Sequence, residues 1–359
     1  MASNLTVLLK SGDLPVAGLL PPVVLQVVMG LCAVVNEALG ILGIVANIVN
    51  ILVFYRQGYD DSVNITLTAL AVSDIGSLLT LQIFNIMINP WFMTLDIDVY
   101  VITFVELVSF YPHNYFIRVC GFITAFASFE RCLCVVVPLK VKQIITKRVS
   151  IATNIFIFLF LCLNLVPIYY VTYLGWTFMP IFNKTILIGM NKMDPYIVFG
   201  ISYYFTDLFI PYFSFFVIIL CNIIIGIQLN RRALWRSSIA TTSKATSESF
   251  PSKEKKLVLM LQLVAVVFIV CLIPQSAVLT TISFVPELSI LGNYFDVALL
   301  CTFISNFTET ITSSVNLIIY YKMSSRYRNT FHASFGGVFR AEIKAGLKSR
   351  NNYSSKSVQ

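Results

Sequence analysis

Asn47, Asp74, the pair Glu130-Arg131 and Asn316 each stand inside a long apolar stretch of this chain. A charge or amide in hydrocarbon is costly, so such residues turn into a bundle interior and mark functional positions. Spread over four stretches, they can build one shared hydrogen-bonded core. Arg131 adds a guanidinium fork suited to a carboxylate partner. A second set follows: His113, Asn114 and Arg118 on the third stretch, Asp207 on the fifth and Glu309 on the seventh. A guanidinium in mid-membrane needs an anion, and Asp207 and Glu309 are the candidates for Arg118. This is ion-pair and recognition chemistry, not covalent chemistry. No stretch holds a His-Glu-x-x-His or Gly-x-Ser-x-Gly pattern, so an enzyme is not expected, and no cofactor either. Cys132 and Cys134 lack the further ligands that zinc requires.

The elements that position these residues follow from composition. Of 359 residues, 57% are hydrophobic and 12% charged, about half the charge of a soluble domain. The apolar runs are long enough to cross a hydrocarbon core of roughly 30 Å as helix. They predict spans over 29–55, 63–89, 100–135, 149–172, 198–230, 254–283 and 291–321. The expected fold is an all-α membrane protein, a seven-transmembrane helix bundle with a short amphipathic cytoplasmic helix at 322–333. Residues 1–28 form an extracellular tail, 29–321 the bundle and 334–359 a disordered cytoplasmic tail. Lys10 and Asp13 interrupt the first apolar run, which argues against a cleaved signal peptide.

Twenty of the 25 Lys and Arg follow spans 1, 3, 5 and 7, against three on the other side. Basic loops stay in the cytoplasm, which puts the N-terminus outside and the C-terminus inside. The net charge of +8 is thus a topology signal, not a nucleic-acid footprint. Sequons at Asn4 and Asn183 fall on the predicted outer side and are glycosylation candidates. The eight cysteines all map to spans, so no external disulfide framework is expected. The odd span count and the lack of an internal repeat weaken an inverted-repeat transporter.

Read in order, the motifs are Gly43-Ile-Val-Ala-Asn47, Leu70-Ala-Val-Ser-Asp74, Glu130-Arg131-Cys132 with Pro138-Leu139, Pro211, Phe268-x-x-Cys271-x-x-Pro274, Asn316-Leu-Ile-Ile-Tyr320 and Tyr327-Arg328-x-x-Phe331. The ordered set resembles the rhodopsin-like G-protein-coupled receptors over residues 29–333. Within that family, the wording of 64–74 and 130–140 is most similar to chemosensory receptors of gastropod molluscs.

The resemblance implies roles. Arg131 would pair with Glu254 at the start of span 6 and hold the inner face closed; Glu254 as a plain helix-start acid is the other reading. Pro274, with Phe268 below it, would be the hinge of span 6. Asp74, Asn47 and Asn316 would meet through hydrogen bonds and water, with Thr312 and Ser313 contributing. A sodium site at Asp74 is implied too, although Cys120 replaces the expected hydroxyl. Leu139 would pack against the G protein or anchor in lipid. Arrestin and a receptor kinase are implied partners, the kinase acting on tail serines such as Ser349, Ser354, Ser355 and Ser357.

By resemblance the Arg118 position faces span 5, which favours an Arg118–Asp207 pair and leaves Glu309 near His113. These pairs either neutralise buried charge or hold a ligand carboxylate on Arg118 and a ligand amine on Glu309. The chain departs from the family where Glu106 replaces the span-3 cysteine, Leu272 the span-6 tryptophan and Leu317 the proline after Asn316. Without the usual disulfide, the pocket entrance must be ordered another way or be looser. The expected function is a plasma-membrane receptor that couples a small external ligand to a heterotrimeric G protein, in a chemosensory role. A small-neuropeptide receptor and a membrane transporter are the alternatives.

Overall fold

The structure is a computed structural model that describes residues 21–93, 95–180, 183–194, 196–240, 252–288 and 292–336. The side chains of Leu139 and Glu254 lie outside that description, as do Asn4 and the tail beyond 336. Seven long helices dominate. They are α1 (Pro22–Gln57), α2 (Ser62–Ile88), α3 (Val101–Val136) and α4 (Lys147–Val171), then α5 (Tyr196–Tyr203, a π-helical stretch Tyr204–Phe209 and Ile210–Ala240), α6 (Ser252–Phe284) and α7 (Phe295–Met323). A last helix, α8, covers 325–336.

Local chemistry sets several ends. Pro22 opens α1, where its missing N–H costs nothing, so α1 starts earlier than the predicted residue 29. Gly58, at φ 84°, ends α1 in a conformation open chiefly to glycine. Asp61 and Thr146 cap α2 and α4 by accepting from Val63 N and Val149 N. Ser324 separates α7 from α8 and accepts from Tyr327 N at 3.2 Å. That serine start moves the amphipathic helix from the predicted 322–333 to 325–336.

α3 is the central rod and packs on α2, α4, α5 and α6, while α7 closes the ring between α6 and α1. The burial pattern is that of a helical membrane protein. Val45, Ile48, Phe156, Phe216, Val270 and Ile273 point outward, while Asn47, Asp74, Glu130, Arg131 and Asn316 are buried. Among the described residues, six helices are long and apolar enough to cross a membrane. α7 is less apolar because it carries Asn306, Glu309, Thr310, Thr312, Ser313 and Asn316, and all six are buried.

One element breaks the all-helical expectation. Thr172–Met179 and Lys184–Asn191 form an antiparallel hairpin, β1–β2. Asn183 sits in its turn at φ 49° and is exposed. The hairpin is tied to the chain before α3: Tyr100 N donates to Leu187 O at 2.8 Å and Leu187 N to Asp98 O at 2.9 Å. Gly189 N donates to Thr103 Oγ1 at 2.9 Å. Lys184 Nζ reaches Asp96 at 2.7 Å and Asp98 at 2.9 Å. Hydrogen bonds to Asp96 and then Asp98 hold the Lys184 ammonium above its ordinary pKa. Backbone pairing and a charge clamp thus order the loop that the sequence leaves without a disulfide.

Candidate functional site

Asp74 on α2 is buried. Its Oδ2 accepts from Asn316 Nδ2 of α7 at 2.8 Å, and its Oδ1 accepts from Cys120 Sγ of α3 at 3.3 Å. One carboxylate therefore joins three helices. Two expected contributors go elsewhere. Asn47 does not reach Asp74: its Nδ2 donates to Ser313 O at 2.7 Å and to Gly43 O at 3.0 Å, because its place on α1 aims the amide at the α7 backbone. The Thr312 hydroxyl is spent on Thr308 O of its own helix. A thiol and an amide NH₂ donate to Asp74, whereas sodium would need oxygen ligands. The bonds seen at Asp74 are those of a hydrogen-bonded carboxylate.

A separate chain of bonds runs from Asn47 to α8. Asn50 Nδ2 donates to Asn47 Oδ1 at 3.2 Å, and Tyr327 Oη donates to Asn50 Oδ1 at 2.6 Å. Tyr327 is 1% exposed, and its ring meets Phe54 and Tyr320. The amphipathic helix thus drives a tyrosine into the core instead of only lying on a surface.

At the far end of α3, Glu130 turns to α2 and α4. It accepts from Ser150 Oγ at 2.7 Å and from Thr66 Oγ1 at 3.2 Å. Asn154 donates to Thr66 Oγ1 and to Ser150 O. Arg131 is buried, and its Nε has no hydrogen-bond partner among the described residues. The expected Arg131–Glu254 contact and the role of Leu139 fall outside the described side chains. Higher up, Phe268 of α6 meets Phe215 of α5 edge-on at 6.4 Å. Its ring lies 3.3 Å from where a Cβ on Gly121 would stand. Pro274 lies inside α6, where it removes a backbone donor and breaks the ladder.

Toward the hairpin, the two pairings anticipated from the sequence are both present. Arg118 Nη2 donates to Asp207 Oδ1 at 3.2 Å. His113 Nε2 lies 2.9 Å from Glu309 Oε2, and its Nδ1 lies 3.0 Å from Ser77 O. Asp207 sits in the π-helical stretch of α5, and the extra residue in such a turn re-aims the side chains around it. Asn114 is buried beside them on α3. Glu37 stands apart, with its carboxylate against the Gln82 amide between α1 and α2.

Sequence reasoning missed Ser77, Gln275, Asn306, Thr66, Ser150 and Asn50. Helical spacing could have found three: Ser77, Asn306 and Asn50 lie three residues from Asp74, Glu309 and Asn47, on the same faces. Comparison with protein-family models finds no match, and comparison with curated proteins finds no related sequence.

Proposed function

We propose that the chain is a rhodopsin-like receptor of the plasma membrane that couples a small external ligand to a heterotrimeric G protein, in a chemosensory role. All seven long helices cross the bilayer in this reading, with the hairpin outside and α8 inside. The observation that carries it is the Asp74–Asn316 bond at 2.8 Å on the axis of the bundle, with Arg131 buried at one end and paired polar groups at the other. Ligand binding shifts an existing equilibrium between closed and open inner faces. Pro274 is the hinge, and Arg131 the group uncovered when α6 swings. Arrestin and a receptor kinase act on the exposed inner face. The reading needs no cofactor and no covalent chemistry.

The test is expression in cells with second-messenger recording against amines, amino acids and short peptides. Arg131→Ala abolishes the response and leaves surface expression intact; an undiminished response refutes the role of Arg131. The buried Arg118–Asp207 and His113–Glu309 pairs also suit a transporter. Uptake of a labelled substrate that is indifferent to Arg131→Ala decides for that alternative.

A further inference from the structure

Sequons stand at Asn4, Asn64, Asn183, Asn306 and Asn352, and those at Asn64, Asn183 and Asn306 fall among the described residues. A glycosyl acceptor must reach an enzyme, so burial decides between them. Asn64 is buried and donates its Nδ2 to Gly58 O at 2.8 Å. Asn306 is buried on α7 inside the bundle. Asn183 is exposed, and so is Thr185, the hydroxyl residue of its sequon. The turn explains the difference. Asn183 N donates to Pro180 O at 3.2 Å. The φ of 49° at Asn183 is a left-handed conformation, which asparagine tolerates better than most residues. It closes the hairpin and leaves the acceptor at its tip. The eight residues of β1 separate that tip from α4, a reach of roughly 26 Å.

The same end of the hairpin carries an aromatic surface. Phe178 is the register partner of Thr185, and Trp176 lies two residues along on the same face of β1. Their side chains are 56% and 64% exposed, and neighbouring exposed aromatics mark a contact surface. Continued one step past Met179–Lys184, the register sets Asn183 opposite Pro180 and diagonal to Phe178. Diagonal neighbours lie roughly 7–8 Å apart. A pyranose ring joined to the Asn183 amide spans that gap, and its C–H face suits an aromatic ring. We propose that Asn183 carries an N-linked glycan whose first sugar packs on Phe178. The donor is a lipid-linked oligosaccharyl diphosphate. Asn183 Nδ2 attacks the anomeric carbon, a C–N bond forms, the C–O bond to the diphosphate breaks, and the lipid diphosphate leaves. The amide gives up one proton to a base of the transferase. The transfer takes place on the outer side of the membrane system, so the proposal rests on the receptor reading for the orientation of the hairpin.

The experiment expresses the full chain in animal cells and reads glycan removal as a step in gel mobility. On an Asn4→Gln background one step remains. Asn183→Gln and Thr185→Val abolish it, while Thr185→Ser keeps it. A step indifferent to Asn183→Gln overturns the site. If the only step in the unaltered chain is lost in Asn4→Gln, the orientation stands and the Asn183 assignment falls. A step lost only in Asn352→Gln puts the tail outside and sinks the orientation of the receptor reading together with the site. The packing is tested by hydrogen exchange of the β1 and β2 amides. The chain is made with and without a blocker of the lipid-linked donor, so that its sequence stays constant. Loss of the glycan speeds exchange about twofold to tenfold, the factor for one aromatic contact. In Phe178→Ala the two preparations exchange alike. The same acceleration in Phe178→Ala, or none in the unaltered chain, overturns the contact with Phe178.

Discussion

The Arg118–Asp207 pair supports a sharp prediction because its two halves are not equivalent. Both side chains are buried, with 6% and 12% exposure, and they meet through one contact at 3.2 Å. At an effective dielectric of about 20, that contact is worth roughly 5 kcal/mol before desolvation is counted. Removing one partner of a buried pair costs about 3–5 kcal/mol, because the other charge is left uncompensated. A carboxylate left alone can take a proton and become neutral, but a guanidinium cannot. Among the described residues Arg118 Nε also has no partner even in the intact pair, so deleting Arg118 removes one unmet donor. Asp207→Asn should therefore sit at the upper end of that range, about 4–5 kcal/mol. Arg118→Met should cost about 1–3 kcal/mol, and the double variant should recover most of the loss suffered by Asp207→Asn. Thermal unfolding in detergent together with surface expression measures all three. Equal losses for the two single variants, or a double variant no better than Asp207→Asn, would refute the pairing argument.

Two further outcomes are expected. Tyr327→Phe removes the buried bond to Asn50 at 2.6 Å and strands an acceptor, so it should lower stability by about 1–3 kcal/mol, read as a drop in midpoint by thermal unfolding. The Lys184 clamp has its pKa raised by Asp96 and Asp98 above the usual 10.5. Its contribution is therefore complete below that value and is lost only as the pH rises past it. Fluorescence of Trp176, exposed on β1, should stay constant through neutral pH and change only in strong alkali. A change between pH 6 and 8 would assign the hairpin's order to some other group.

How much of this was legible in the sequence depends on the kind of information each feature needs. Asp74 and Asn316 stand out because each interrupts an apolar run, and the cost of leaving them in lipid requires a partner. Arg118 and Asp207 are legible for the same reason. The direction of an amide is not: Asn47 sits at the expected depth, but the rotation of α1 sends its Nδ2 to Ser313 O. The hairpin is illegible because Thr172–Met179 and Lys184–Asn191 bury neither face completely, so the period-two alternation of a half-buried strand is blurred. Gln275 is hidden next to Pro274, in a helix whose apolar residues run all round it.

The two helices that would carry a signal differ in where they can bend. α7 runs unbroken from Phe295 to Met323 with no proline inside it. Its polar contacts, His113 with Glu309, Asn47 with Ser313 O and Asp74 with Asn316, bind it to α3, α1 and α2 along one face. A helix so fastened moves as a rod or not at all, because bending it would break a buried bond at some level. α6 has the opposite construction. Pro274 opens its backbone ladder, Gln275 beside it is unpartnered on its oxygen among the described residues, and Phe268 packs six residues further toward the Arg131 end. In the receptor reading, the swing that uncovers Arg131 therefore begins in α6, with α7 as the fixed wall against which it turns.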